Sequence, residues 1–197
     1  EFETLAEQKM IKSEWDYVAG AATDEVTLRR TRSAYDHIAL RPRVLTGTAS
    51  VDMSTTVLGH KISVPFMTSP AGGHKKGHPD GEIATARAAA KFGTIMSMSA
   101  NGSYTLEEVA GAVDGPRFYQ CYFYKNRETM AGMVKRAEDA GYNALIITLD
   151  SSWPSKRERN IRNEYGKLNR PRPNYTPAQL NEAQEKAAKS KFDSGLS

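Results

Sequence analysis

From Ile62 onward, short apolar runs alternate with longer amphipathic ones, and that rhythm restricts the chain to a small set of folds. Ile62-Ser63-Val64-Pro65-Phe66-Met67 reads as a strand, and Gly81 to Phe92, alanine-rich and opened by Asp80, reads as a helix. Thr94 to Met98 is the next strand. A helix follows from Leu106, where Thr105 and Glu108 stand at capping-box spacing. Arg117 to Phe123 is a third strand, and Arg127 to Ala140 is a helix with Asn126 as N-cap and Gly141 as its stop. Ala144 to Thr148 is a fourth strand, whose composition predicts burial on both faces. Strands that are apolar throughout and separated by helices imply an α/β fold with a parallel sheet of βαβ units. Four such units suit an open doubly wound sheet or half of an eight-stranded barrel, and periodicity does not choose between them. A complete barrel takes about 250 residues, more than the 197 here.

Ahead of this array the pattern predicts a helix over about Glu3 to Val18, a second over about Glu25 to Ala34, and a hairpin-like stretch from Val51 to Val57. After Asn163 the pattern lapses. Asn169 to Asn174 carries two prolines and two arginines and reads as loop, and Thr176-Pro177-Ala178-Gln179 then opens a polar helix with Thr at N-cap, Pro at N1 and Gln at N3. With almost no apolar face, that helix is expected on the surface and mobile. Hydrophobic residues make up 39% of the chain and charged residues 25%, a globular composition. No apolar run approaches the roughly 18 residues that a membrane span needs. Glu1-Phe2-Glu3-Thr4 lacks the basic-then-apolar pattern of a signal peptide and has no initiator Met, so the true start is expected to be processed or missing. A net charge of +4, with Lys and Arg mixed among Asp and Glu as far as Lys156, argues against a nucleic-acid partner, which asks for a concentrated basic face. The single cysteine, Cys121, excludes an intrachain disulfide and a cysteine-based zinc site, and fits a reducing compartment.

Ligands of parallel α/β proteins gather at the carboxyl ends of the strands. Those ends read Ser69-Pro70-Ala71-Gly72-Gly73, Ser97-Met98-Ser99-Ala100-Asn101, Gln120-Cys121-Tyr122-Phe123-Tyr124 and Thr148-Leu149-Asp150. Small residues at the first let a flat ligand approach the backbone. On the third, Gln120, Tyr122 and Tyr124 share a face and Cys121 points the other way, as a small buried hydrophobe. Hydroxyls, an amide, phenols and open backbone suit a planar heteroaromatic ring with carbonyl and ring-nitrogen acceptors. They suit metal-dependent hydrolysis poorly. The plainer alternative is that the hydroxyls merely satisfy loop backbone. His74, His78, Asp80 and Glu82 imitate a metal site, but Pro79 breaks the helix it would need, so no metal is expected.

Six short motifs then fall in the order of one family. They are Trp15-Asp16-Tyr17-Val18-Ala19-Gly20-Ala21-Ala22-Thr23-Asp24-Glu25-Val26-Thr27-Leu28, Leu40-Arg41-Pro42-Arg43-Val44-Leu45, Leu58-Gly59-His60-Lys61-Ile62, His78-Pro79-Asp80-Gly81-Glu82, Phe118-Tyr119-Gln120-Cys121-Tyr122, and Thr148-Leu149-Asp150 with Arg157-Glu158-Arg159-Asn160 close behind. From about residue 10 to 165 the chain resembles the FMN-dependent α-hydroxy acid oxidases and dehydrogenases. The resemblance implies a TIM (β/α)₈ barrel, with residues 1–165 as its N-terminal half (strands one to four) and 166–197 as a polar lid segment after strand four. It implies FMN as cofactor, with the backbone of Pro70, Ala71 and Gly72 against the flavin and Ser99, Gln120 and Thr148 on its polar edge. It implies that Tyr17, Tyr122 and Arg157 meet a small 2-hydroxy acid substrate, that His78 serves structurally, and that Asn101 stands where relatives place an aromatic or small residue facing the substrate.

The family's base histidine, carboxylate-clamping arginine, flavin-facing lysine and phosphate loops belong to later strands, and none has a counterpart here. The implied partner is therefore the C-terminal half of the same enzyme, in a homo-oligomer that is tetramer-like in the family. The implied reaction oxidises an L-2-hydroxy acid, lactate-like or glycolate-like, to the 2-keto acid and reduces oxygen to hydrogen peroxide. The implied compartment is cytoplasmic, or peroxisomal in a eukaryote. A non-catalytic half-barrel binding module and an unrelated doubly wound protein are the alternatives. An isolated half would leave open sheet edges and an apolar lumen, which favours the half-enzyme.

Overall fold

The computed structural model describes residues 1–122, 126–150, 155–167, 170–175, 177 and 180. The chain packs as two units, one from Glu1–Asp52 with Ser155–Asn169 and the other from Met53–Pro154 with Arg170–Ser197. Among the described residues no helix is long and apolar enough to cross a membrane.

In the first unit the predicted N-terminal helix is two helices, α1 (Phe2–Lys9) and α2 (Lys12–Ala19), parted where Met10 and Ile11 are extended. The break has a packing reason. α1 buries nothing, whereas α2 buries Ser13, Glu14, Trp15 and Asp16, so the two need different directions. α3 (Val26–Ser33) runs into a 3₁₀ turn at Ala34–His37. The unit closes on α7 (Glu158–Arg162) and a second 3₁₀ turn, Tyr165–Lys167. α2 and α7 pack together. Asp16 ties them, accepting from Lys12 Nζ at 2.5 Å and from Asn163 Nδ2 at 2.8 Å, and Arg159 pairs with Glu25 at 2.7 Å.

The second unit opens with an antiparallel hairpin of β1 (Thr55–Val57) and β2 (His60–Ile62), later than the predicted Val51–Val57. Its two-residue turn, Leu58-Gly59, has positive φ at both positions, +46° and +85°. That is the backbone a tight hairpin demands, and glycine supplies half of it without strain.

The predicted strand Ile62–Met67 is not a strand. Ile62 ends the hairpin, and Pro65 contributes no N–H while biasing the residue before it. Phe66 N–H turns back to the Val64 carbonyl at 2.8 Å. The segment still runs beside the sheet, through Ser63 N–H to Gly93 O, Thr68 N–H to Ile95 O and a parallel bridge between Ala71 and Met98.

The described sheet has three parallel strands in the order β3 (Met96–Ser99), β4 (Arg117–Tyr122), β5 (Ala144–Thr148). Ser99 stands opposite Gln120, and Tyr122 opposite Thr148. α4 (Gly81–Lys91) leads into β3, and α5 (Leu106–Ala112) and α6 (Arg127–Asp139) connect the strands. The capping box at α5 forms as the spacing predicts: Thr105 Oγ1 accepts from Glu108 N–H and Glu108 returns the bond to Thr105 N–H. Asn126 caps α6 through Glu128 and Thr129 N–H, and Gly141 ends it at φ +76°.

Strand alternation divides the packing. Met96, Met98, Tyr119 and Cys121 meet Ala86, Ala89, Leu106, Val109, Met133 and Ala137 of the helices. Burial pushes the Cys121 thiol upward, away from the reactive thiolate. The opposite face carries Phe118, Ala144 and Ile146, covered at the amino end by Ile62, Val57 and Met67. β5 departs from its expected burial: Leu145 is 38% and Ile147 46% exposed. Among the described residues it pairs with β4 alone, so its apolar composition outruns the packing they provide. The predicted continuation of β4 at Phe123 and the polar helix opened at Thr176 lie outside the described residues.

Candidate active site

Apolar at its amino end, the second sheet face becomes polar at the carboxyl end. Gln120, 2% exposed, is the hub. Its Oε1 accepts from the Ser99 hydroxyl at 2.9 Å, and its Nε2 donates to Thr148 Oγ1 at 2.8 Å. Three side chains from three adjacent strands thus form one continuous row. Strand alternation produces this directly: Ser99 is in step with Gln120, and Thr148, in step with Tyr122, projects from the same face two residues further on. Ser99 Oγ also accepts from Asn101 N–H at 3.2 Å.

The row retains hydrogen-bonding capacity: the second Nε2 hydrogen of Gln120 and the hydroxyl hydrogen of Thr148 are not used within it. Two donors on one line match a ring edge that presents carbonyl and nitrogen acceptors, as the pyrimidine edge of a flavin does. The residues present fit that part of FMN.

Beside the row, Ala71 is exposed and bridged to Met98, while Pro70 and Gly72 are half-buried. A Cβ on Gly72 would stand 2.7 Å from Asn101 Cβ, so the loop passes this close only as glycine. Tyr122 accepts from Asn101 Nδ2 at 3.3 Å. Tyr124 lies outside the described residues.

The loops around the row are held by Glu82, which is fully buried. Its Oε1 accepts from His74 N–H and from Ser103 N–H, each at 2.9 Å, joining the loop after the irregular segment to the loop after β3. His74 Nδ1 is 2.9 Å from Thr85 Oγ1, and His78 Nδ1 accepts from Asp80 N–H at 3.2 Å. His74, His78 and Glu82 thus have separate hydrogen-bonding duties. Among the described residues no three His, Cys, Asp or Glu side chains converge as a metal site would require.

In the first unit, Tyr17 and Arg157 come together. Arg157 Nη1 donates to the Tyr17 carbonyl at 2.8 Å and the Gly20 carbonyl at 3.4 Å, closing the C-terminus of α2. Its guanidinium lies over the Tyr17 ring, 4.9 Å from the centroid. The other side of this pairing was not singled out in the sequence: Tyr165 stacks on Tyr17 at 4.5 Å and 3°. Nothing local in the sequence marks Tyr165, because the contact joins distant segments. The same is true of Asn174 and Tyr175, described below.

A strand-borne polar row at the carboxyl ends of parallel strands places this chain among the α/β proteins that have a candidate ligand site at that edge. The chain belongs to the FMN-dependent dehydrogenase family, whose model matches residues 6–195. It is similar to the peroxisomal (S)-2-hydroxy-acid oxidase of rice (Oryza sativa), at 47% identity over 164 residues, 83% of this chain and 45% of that protein. In structure it is similar to a lactate oxidase of Pediococcus acidilactici, with a TM-score of 0.80, 30% identity, and coverage of 93% of this chain and 50% of that one. It is also similar to a mandelate oxidase, with a TM-score of 0.84, 27% identity, and coverage of 98% and 59%. The chain spans about half the length of the relatives it matches.

Proposed function

We propose that this chain is the N-terminal half of a (β/α)₈ flavoenzyme. In this reading residues 1–165 supply strands one to four and residues 166–197 a lid segment. The whole enzyme oxidises a small L-2-hydroxy acid, glycolate-like or lactate-like, to the 2-keto acid and passes the electrons to oxygen to give hydrogen peroxide. The observation that carries the proposal is the Ser99–Gln120–Thr148 row at the ends of three parallel strands. Family membership and the similarity to named 2-hydroxy acid oxidases supply the chemistry.

FMN, when bound, supplies the two-electron acceptor that amino-acid side chains lack. The residues that would hold it are Ser99, Gln120 and Thr148 on its polar edge, with the backbone of Pro70, Ala71 and Gly72 alongside. Tyr17, Tyr122 and Arg157 would take the substrate carboxylate and hydroxyl. Among the described residues the Nη2 and Nε hydrogens of Arg157 make no hydrogen bond, so the guanidinium can close α2 through Nη1 and still offer donors to an anion. The partner of the chain is the C-terminal half, expected to bring the proton-abstracting base and the phosphate site, within a homo-oligomer. A peroxisomal location is proposed by analogy with the rice relative, if the source is a eukaryote.

The test is reconstitution. Combined with its C-terminal half, the chain should give a yellow complex that releases FMN on denaturation and forms hydrogen peroxide from glycolate or L-lactate. A folded complex of both halves that takes up no FMN would overturn the proposal.

A further inference from the structure

Residues 170–175 follow α7 in sequence yet pack in the second unit. Their anchor is Asn174, which is fully buried. Its Oδ1 accepts from Leu106 N–H at 2.9 Å, its Nδ2 donates to the Tyr104 carbonyl at 3.0 Å, and its own carbonyl accepts from Arg136 Nη1 at 3.2 Å. Both amide functions and the main chain are therefore used, on two segments, the start of α5 and the body of α6. Such a bond set fixes the next residue in place, because an asparagine held at three points leaves the following backbone little freedom.

The next residue is Tyr175. Its hydroxyl donates to Asn101 Oδ1 at 3.1 Å, and Asn101 Nδ2 donates to the Tyr122 hydroxyl at 3.3 Å. The direction of this relay is what matters. An amide has one acceptor end and one donor end. With Tyr175 on the Oδ1 end, the Nδ2 end must face Tyr122. Tyr122 oxygen then accepts, and its own hydrogen points away from the asparagine.

We propose that Tyr175 is a positioning residue: through the Asn101 amide it turns the Tyr122 hydroxyl hydrogen toward the ligand. This rests on the reading of Tyr122 as a substrate-binding residue. Without the Tyr175 hydroxyl, Asn101 Oδ1 loses its donor, and turning the amide over lets it take the Tyr122 hydroxyl hydrogen instead. Tyr122 then donates to Asn101 Oδ1, and the ligand loses its hydrogen-bond donor. The amide therefore acts as a switch for donor direction, and Asn174 keeps it set from a point buried under α5.

The experiment uses the complete flavoenzyme containing this chain, in four forms: unaltered, Y122F, Y175F and the double variant. L-Lactate serves for turnover, and oxalate binding is followed by the flavin absorbance. Y122F should raise KM for lactate and the dissociation constant for oxalate about tenfold, matching the loss of one hydrogen bond to a charged group. Y175F should raise both three- to tenfold, with kcat changed less, and the double variant should be no worse than Y122F alone. Asn101→Leu, which removes the amide through which Tyr175 acts, should make Y175F neutral when the two are combined.

If Y122F leaves lactate and oxalate affinity unchanged, the substrate role of Tyr122 fails. If Y122F acts but Y175F is neutral, or its effect multiplies with that of Y122F, the positioning role fails while the substrate role stands.

Discussion

Gln120 illustrates how much one side chain can be asked to do. A buried primary amide costs free energy unless both its ends are matched, and here each end meets a hydroxyl from a neighbouring strand. Replacing Gln120 by Met keeps the volume but leaves Ser99 without its acceptor and Thr148 without its donor. The expected loss is about 1–3 kcal/mol of stability for the buried polar groups left behind. FMN should be lost from the reconstituted complex at the same time. Chemical denaturation and the flavin absorbance of the same sample check both; a variant that is equally stable and retains flavin would remove Gln120 from the site. The strand ends that carry this row were legible in the sequence, and the resemblance named its three residues together, but the hydrogen bonds that join them cross between strands and were not legible. Nor were Tyr165, Asn174 and Tyr175. Each acts across a long sequence separation from a segment that reads as loop, and no periodicity reports such a contact.

At the scale of elements, helices were read well where the chain carries its own local signal. Thr105 with Glu108, and Asn126 with Gly141, mark helix ends through bonds closed within a few residues. The misreadings came where a local pattern met a non-local decision. Ile62–Met67 has the composition of a strand, but Pro65 and the preceding hairpin divert its backbone. α1 and α2 share one helical pattern yet divide because one has a surface to bury and the other has none.

The link between α5 and α6 yields a pH prediction. Arg136 donates to both carboxylate oxygens of Glu107 at 2.9 Å. That side-chain bond, opposed in part by burial, holds the Glu107 carboxyl below its ordinary value. A depressed folded value means that the unfolded state takes up the proton first. The contribution is complete at neutral pH and lost as pH falls through the ordinary glutamate range to the lowered folded value. The melting temperature of Glu107→Gln should therefore lie below that of the unaltered protein at pH 7, and the gap should narrow on acidification toward pH 4. A gap that is constant with pH would show that the ion pair does not contribute.

For the molecule as a whole, the sheet is the governing fact. Three parallel strands with apolar residues exposed on the outermost leave surface that calls for further packing. The 197-residue chain alone should self-associate or melt without a sharp transition. With the C-terminal half it should become a compact species melting as one unit. Size-exclusion chromatography and calorimetry of the chain, with and without that half, distinguish these outcomes. A monomer that melts cooperatively and ignores the second half would mean that the sheet is complete as it stands. Fold class was readable at this scale from the alternation of strands and helices. The choice between open sheet and barrel was not, because both use the same βαβ unit.

The exposed face of β5 also bears on biosynthesis. Leu145 and Ile147 emerge from the ribosome before anything encoded downstream of them, and the chain spans only about half the length of its relatives. At a synthesis rate of about 5–20 residues per second, the second half of a protein of its relatives' length, about 200 residues, takes on the order of 10–40 s. On the proposed reading, Leu145 and Ile147 stay uncovered throughout that interval. Such an apolar rim is what a chaperone recognises, and it is also where two neighbouring nascent chains could wrongly join. On the proposed reading, production of the whole protein is expected to be sensitive to translation rate and chaperone supply at a point fixed by β5.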